Sequence, residues 1–330
     1  MTEAAPRRVA AIDCGTNSVR LLVADVEPDR GQLVDLVRRM EIVRLGQGVD
    51  ATGRLAPEAL DRTFAALRDY ANVIAESGAT AVRMVATSAT RDASNSDEFT
   101  SGVRQILGID PEVISGSQEA YLSFSGATAE LARFSGGPDA LAPPYLVTDI
   151  GGGSTEFVLG SHGGDDAGDL AAISMNIGSV RLTERCLRAD PPTPAQITAA
   201  TAEIDAALAT AAESVPVATA ATLVGLAGSV TTVTAIALGL SAYDPKRVHH
   251  ARVGAERVHE VTMLLLSQER AERAANPVIH PGRVDVIGAG ALILDRVMKQ
   301  FGFAEFVASE HDILDGIAWS AALGQSAPFQ

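Results

Sequence analysis

An α/β protein made of two duplicated units facing each other across a ligand cleft is the architecture that the sequence predicts. Three observations carry it. Short apolar, strand-like runs alternate with longer segments at helical spacing, the pattern of layered α/β domains. The order apolar strand, aspartate, glycine-rich polar turn, apolar strand occurs twice, in AAIDCGTNSVRLLVADV (Ala10 to Val26) and in LVTDIGGGSTEFVLG (Leu146 to Gly160). Beyond each copy the same succession of segments recurs, at an offset of about 136 residues. The chain's 330 residues, 47% of them hydrophobic, suffice for two cores of ordinary size.

The runs flanking each turn read as two strands of a hairpin, because the residues after the turn are β-branched, aromatic or otherwise apolar. A third strand is expected in LVDLVRRMEIVRLGQG and in LAAISMNIGSVRLTE, which end in the similar VRLGQ and VRLTE. A helix comes next: Pro57 sits at a first helical position with Gly78 as a stop, and Thr193 with Pro194 opens the second copy's helix. Strand-and-turn segments AVRMVATSATRDASN and ATLVGLAGSVTTVTAI come after it. Each half closes with a further helix and strand, the strand falling in PEVISGSQEAYL and in RVDVIGAGALIL. The expected units are residues 1–126 joined by a closing helix in 312–330, and residues 127–311.

Composition narrows the function. A formal net charge of −15 argues against non-specific binding to nucleic acid or a membrane surface, while a locally positive cleft can still take a small or linear anion. Ser214 to Tyr243 is uncharged and long enough to span a bilayer, but Gly225, Gly228 and several Ser and Thr break it into a buried strand, a tight turn and a buried helix. The apolar run near the N-terminus meets Asp13 after four residues, too soon for a secretory segment, so a cytoplasmic protein is expected. Cys14 and Cys186 form no CxxC, and neither a disulfide framework nor a zinc site is indicated. His162, His259, His280 and His311 show no ligand spacing.

The turns carry the chemistry. No Lys follows the glycines as a Walker loop requires, and STEFVLG continues as a strand where a dinucleotide loop would open a helix. Gly151, Gly152 and Gly153 have no Cβ, so their main-chain N–H groups can approach an anion closely, and Ser154 and Thr155 add hydroxyls. Gly15, Thr16, Asn17 and Ser18 offer the same from the first copy; ordinary hairpin turns are the alternative reading. Two more turns, at Gly228 with Ser229 and at Gly288 with Gly290, precede helices and could present N-terminal amides to phosphate. Asp13 and Asp149 end the strands before the hairpin turns. A carboxylate beside a phosphate repels it unless a cation lies between, which suggests Mg²⁺, or Mn²⁺ in its place, held by hard oxygens; Asx capping of the turn is the other use.

These segments together identify a resemblance. IDCGTNSVRLLV, ATSATRDASN, SGSQEAYLSFSGA, DIGGGSTEFVLG, NIGSVRLTE, LAGSVTTVTAI and GRVDVIGAGALIL resemble, in order, those of the exopolyphosphatase and guanosine pentaphosphate phosphatase (Ppx/GppA) family, in its short two-domain form. The likeness runs from Ala10 to about Gly316. It implies two ribonuclease-H-like domains of the actin-like ATPase kind with the active site in the cleft between them. It implies that Glu119 is the base that activates water, that Arg91 contacts phosphate, and that Asp149 and Glu156 share the metal and position the water. Read from its own neighbours, Glu119 is a first-turn helix carboxylate with Ser117 as N-cap, Arg91 a solvated arginine after a strand, and Glu156 the polar face of a strand. Two departures stand out: Gln118 where the family often has an acid, and His250 after His249 where it usually has glycine.

The activity that the resemblance implies is release of terminal phosphate from inorganic polyphosphate by metal-assisted attack of water. Guanosine pentaphosphate (pppGpp) 5′-phosphatase activity is the alternative within the family. A sugar kinase or other ATP user of the same fold and a non-catalytic polyphosphate or nucleotide sensor are alternatives of other classes. Aromatic residues make up only 4% of the chain, few platforms for a purine. Longer family members append a helical region, whereas here SEHDILDGIAWSAAL resembles the family's closing helix and Gln330 comes soon after. An extended substrate channel is therefore not expected, and short polyphosphates should be preferred. A homodimer is expected, without nucleic-acid or membrane partners.

Overall fold

The structure, a computed structural model, describes residues 6–129, 131, 141–161 and 170–324. The chain divides into two compact units, residues 1–130 with 312–330, and residues 131–311. The division expected at 126/127 falls inside a helix, Gly116–Thr128.

The first unit opens with a strand, Arg7–Cys14 (β1), whose residues from Val9 onward are buried, as a central strand covered on both faces requires. The turn at Gly15 returns it into Ser18–Glu27 (β2), and Gln32–Ile42 (β3) adds the sheet edge. After a one-turn helix, Val49–Thr52 (α1), comes Pro57–Ser77 (α2), which begins on Pro57 and ends on Gly78 at φ 70°. Glycine adopts that left-handed stop without strain. Next are Ala81–Ala86 (β4), Ser88–Asp92 (α3), Ser96–Leu107 (α4), the two-residue Glu112–Val113 (β5) and Gly116–Thr128 (α5). The strand order is β3-β2-β1-β4-β5, with β1 antiparallel to β2 and parallel to β4.

The second unit repeats this plan. Tyr145–Ile150 (β6) and Thr155–Gly160 (β7) form the second hairpin, and Ala171–Met175 (β8) extends it. Ser179–Arg185 (α6) and Pro194–Ser214 (α7) precede Thr222–Leu226 (β9) and Ala227–Ala237 (α8). Pro245–Val248 (α9), Arg252–Gly254 (β10), Ala255–Ser267 (α10), Arg270–Ala274 (α11), Ile287–Phe301 (α12) and Glu305–Ala308 (β11) complete it. The sheet order β8-β7-β6-β9-β11 matches that of the first unit, with β10 added antiparallel at the edge. The uncharged stretch from Ser214 resolves into β9 and the buried α8, and no described helix is long and apolar enough to cross a membrane.

The chain ends in Ile313–Leu323 (α13), which belongs to the first unit and covers one face of its sheet through Ile313, Leu314 and Ile317; Leu60, Leu67 and Phe99 of α2 and α4 fill the other face. The α5 and α13 helices cross so closely that a Cβ on Gly126 would strike the Asp312 carbonyl.

One expected strand is shorter than expected and another is absent. VRLTE lies in α6, and the strand ends at Met175. RVDVIGAGALIL begins on the last residue of a 3-10 turn, Pro281–Arg283, and runs into α12; the fifth strand comes after that helix, as β11. Ile287 to Leu294, the part of α12 in that segment, holds no polar side chain and is buried except at Gly288, so it shows no amphipathic period to separate it from a buried strand.

Candidate active site

In the first unit the hairpin turn is fixed by its own carbonyls. Gly15 N–H donates across the turn to Ser18 O at 3.0 Å, the Asn17 carbonyl accepts from the amides of Val43 and Arg44 at 3.1 and 2.9 Å, and Thr16 O accepts from Gly46 at 2.8 Å. The Thr16 hydroxyl shares a hydrogen bond of 2.8 Å with that of Ser88, a residue the sequence did not single out.

Asp13, expected as a metal ligand, is paired with an arginine. Arg20 lies directly opposite it on β2 and donates to Asp13 Oδ2 through Nε at 3.0 Å and Nη2 at 2.7 Å; its Nη1 pairs with Asp312, the N-cap of α13. The other oxygen, Asp13 Oδ1, is buried with no hydrogen-bond partner among the described residues. Burial pushes the Asp13 carboxyl up against the pull of Arg20. Burial acts on Asp312 in the same sense, but the guanidinia of Arg20 and Arg38 prevail and hold its carboxyl below the usual carboxylate range.

Glu119 is buried in the first turn of α5. The N-cap is Ser115, not Ser117: Ser115 Oγ accepts from Gln118 N at 3.3 Å, and the Gln118 side chain accepts from Ser115 N at 2.9 Å. The spacing of Ser115 to Gln118 is a capping box, a signal readable in SGSQEA, and it gives Gln118 a structural use. Arg91, in the last turn of α3, donates through Nη1 to Glu119 Oε2 at 3.1 Å and to the Ile114 carbonyl at 2.9 Å. Candidate base and candidate phosphate contact are thus an ion pair.

In the second unit Asp149 and Glu156 are directly opposite residues of β6 and β7, so both carboxylates leave one face of the sheet side by side. Both are buried, and Ser174 Oγ on β8 donates to Glu156 Oε1 at 2.6 Å. The glycine turn between them repeats the first unit's design. Gly151 N–H donates to Ser154 O at 3.0 Å, so that amide is used within the turn and is not offered to an anion. Ser154 is buried, and the Thr155 hydroxyl donates to Ile177 O at 2.7 Å. Against this turn lies Gly178, the N-cap of α6: a Cβ there would come within 2.6 Å of the Gly153 carbonyl carbon.

Gly228 and Ser229 open α8, just after Ala227 at φ 70°. The guanidinium of Arg283 occupies the space that a Gly228 side chain would take, its Nε within 2.5 Å of that Cβ position. A cation laid on the positive end of a helix favours an anion there. Gly288 and Gly290, the remaining glycines read as an anion turn, do open a helix, α12. They lie inside the first turn of α12 and allow close packing, Gly288 on Leu266 and Gly290 on Ser229, and the Gly290 amide is bonded to Val286 O.

Hard oxygens from two adjacent carboxylates suit Mg²⁺, which keeps several waters and takes substrate phosphate oxygens. Among the described residues no three His, Cys, Asp or Glu side chains gather into a cage. The His250 departure has a backbone reason: the residue sits at φ 61°, where glycine is the easy choice, and its ring stacks on His249 at 3.8 Å, with His311 on His249's other contact at 4.8 Å. His162 lies outside the described residues.

Two α/β units of one strand order, each with an aspartate-turn hairpin, define an actin-like fold. The chain belongs to the Ppx/GppA phosphatase family, which it matches over residues 22–323. It is 48% identical over 326 residues to Exopolyphosphatase 2 of Mycobacterium tuberculosis, covering 96% of this chain and 98% of that protein. The crystal structure of an exopolyphosphatase-like protein is 45% identical and superposes with a TM-score of 0.88 over 96% of this chain and 99% of the other. A Ppx/GppA family member from Aquifex aeolicus is 29% identical, with a TM-score of 0.76 over 96% and 98% of the two chains.

Proposed function

We propose that this phosphatase is an exopolyphosphatase that hydrolyses the terminal phosphoanhydride of inorganic polyphosphate. The observation that carries the reading is the near-complete match to a protein named exopolyphosphatase, at 48% identity over 96% of this chain. The residues support a division of labour. Glu119 takes the proton of the attacking water, and Arg91, bonded to it at 3.1 Å, fixes its orientation and carries positive charge for a phosphate. Asp149 and Glu156, adjacent carboxylates on one sheet face, would hold Mg²⁺ or Mn²⁺. When bound, the cation supplies charge neutralisation and orders water at the phosphate. The amides of Gly152, Gly153 and Ser154, with Arg283 above Gly228, take up charge that develops on the phosphoryl oxygens. Thr16, Asn17 and Ser18 serve as the corresponding contacts of the first unit.

The test is phosphate release measured side by side from tripolyphosphate, long-chain polyphosphate and pppGpp, with Mg²⁺, with Mn²⁺ and with excess EDTA. The reading expects turnover of polyphosphate in either metal and none in EDTA. Faster release from pppGpp at equal concentration would move the assignment to that substrate, and full activity in EDTA would remove the metal.

A further inference from the structure

The similar segments VRLGQ and VRLTE do one mechanical task in both units. In the second, the amides of Ser179 and Val180 donate to the carbonyls of Gly151 and Gly152 at 3.0 and 2.9 Å, and the Arg181 amide reaches Gly152 O at 3.2 Å. Arg181 Nε then donates to Gly153 O at 2.7 Å. In the first, Val43, Arg44 and Gly46 make the corresponding bonds to Asn17 O and Thr16 O. All of these bonds end on a carbonyl of the turn.

In a trans peptide the carbonyl and the next residue's N–H point in opposite directions. Tethering the carbonyls of Gly151, Gly152 and Gly153 toward α6 therefore aims the amides of Gly152, Gly153 and Ser154 away from it, all to one side. The first two of these carbonyls are held by backbone, the third by a side chain. A glycine peptide without a tether rotates easily, and one that flips presents its carbonyl, a repulsive dipole, where the anion should meet an amide.

We infer that Arg181 is a positioning residue, which holds the Gly153–Ser154 peptide so that its amide faces phosphate. This rests on the reading of the glycine turn as a phosphate site. Arg181 itself need not touch substrate; it acts through the peptide, and the loss should fall on kcat as well as KM, because preorganised amides matter most when charge develops.

Arg181→Met keeps an unbranched stem of similar reach and removes every donor to the Gly153 carbonyl. Its kcat/KM for tripolyphosphate should fall about ten- to a hundredfold, with the melting temperature and circular dichroism near those of wild type, and Arg181→Lys should lie between. As a direct readout, inorganic phosphate titrated into ¹⁵N-labelled wild-type protein should shift the Gly152, Gly153 and Ser154 amide resonances, and in Arg181→Met the Ser154 shift should be lost or reduced. If the wild-type amides do not move, the glycine turn is not a phosphate site and the role of Arg181 falls with it. If they move equally in wild type and variant, and kcat/KM is unchanged, the turn reading stands and the inference about Arg181 alone is overturned. Should Arg181→Met fail to fold, the same two measurements on Arg181→Lys decide the question.

Discussion

One methyl group, added at Gly178, should disable the enzyme without unfolding it. Gly178 has φ −152°, an extended backbone open to any residue, so Gly178→Ala introduces no backbone strain and acts through its Cβ alone. That Cβ would lie 2.5 Å from the Gly152 carbonyl carbon, against the 3.0–3.4 Å of a tight real contact, and the obstacle is backbone, which cannot rotate away. The glycine turn must therefore retreat by about 0.5–0.9 Å, and a misplacement near 1 Å in a catalytic group costs on the order of a hundredfold. Overpacking of this kind costs about 1–3 kcal/mol, a shift of a few degrees in melting temperature. We expect kcat/KM for tripolyphosphate to fall about a hundredfold in a folded protein. Gly288→Ala is the control: its Cβ would meet the movable Leu266 Cδ2 at 3.2 Å, and activity should stay near wild type. If Gly178→Ala retained kcat/KM within about threefold, the turn would either be able to move freely or have no part in catalysis, and the reasoning would fail.

Two further outcomes are expected. Glu119→Gln keeps shape and removes basicity, so kcat should drop by about a hundredfold or more while tripolyphosphate still binds; near-normal turnover would reject Glu119 as base. The Asp312 carboxyl is held below the ordinary carboxylate range in the fold, so its stabilising contribution is present above the unfolded pKa of about 4 and is lost as pH falls through the folded value. Asp312→Asn should lower the melting temperature at neutral pH and flatten its decline below about pH 4, whereas an unchanged acid limb would show that this carboxylate is not what the acid titrates.

The hairpins are legible in the sequence because their signals are local. β-Branched and aromatic runs, an aspartate and a glycine turn lie within about fifteen residues, and nothing distant is needed to decide them. Helices marked by Pro57 or Thr193 are equally plain. VRLTE reads wrongly as a strand because seven residues are too few to show a helical period, and α6 forms where its first amides find the turn's carbonyls, a tertiary cause. The similarity of VRLGQ to VRLTE is nevertheless a true signal, of a shared clasp and not of shared strands. Arg20 could not have been connected with Asp312, 292 residues away, nor Arg283 with Gly228, because side-chain pairing over that separation comes only from the fold. Ser115 is different: the capping-box spacing to Gln118 is in the sequence and favours it over Ser117.

The duplication sharpens the metal assignment, because the two hairpins differ at one decisive position. Asp13 faces Arg20 across β1 and β2, and Asp149 faces Glu156 across β6 and β7, in the same register of the same motif. In the first unit the aspartate is joined to a guanidinium that also binds the cap of α13, a pairing that ties the hairpin to the closing helix. In the second it stands beside another acid, a donor set that a divalent cation can bridge. We propose that the duplicated position serves two uses, structural in the first copy and metal-holding in the second, although the sequence alone offers both aspartates as ligands. The two uses separate experimentally. Asp13→Asn leaves Arg20 short of a buried partner and should lower the melting temperature, while the Mg²⁺ concentration for half-maximal activity stays within about twofold. Asp149→Asn should raise that Mg²⁺ concentration by about tenfold or more, with a smaller effect on melting. An equal rise in metal requirement for both variants would return Asp13 to the metal and show that Arg20 does not remove it from that role.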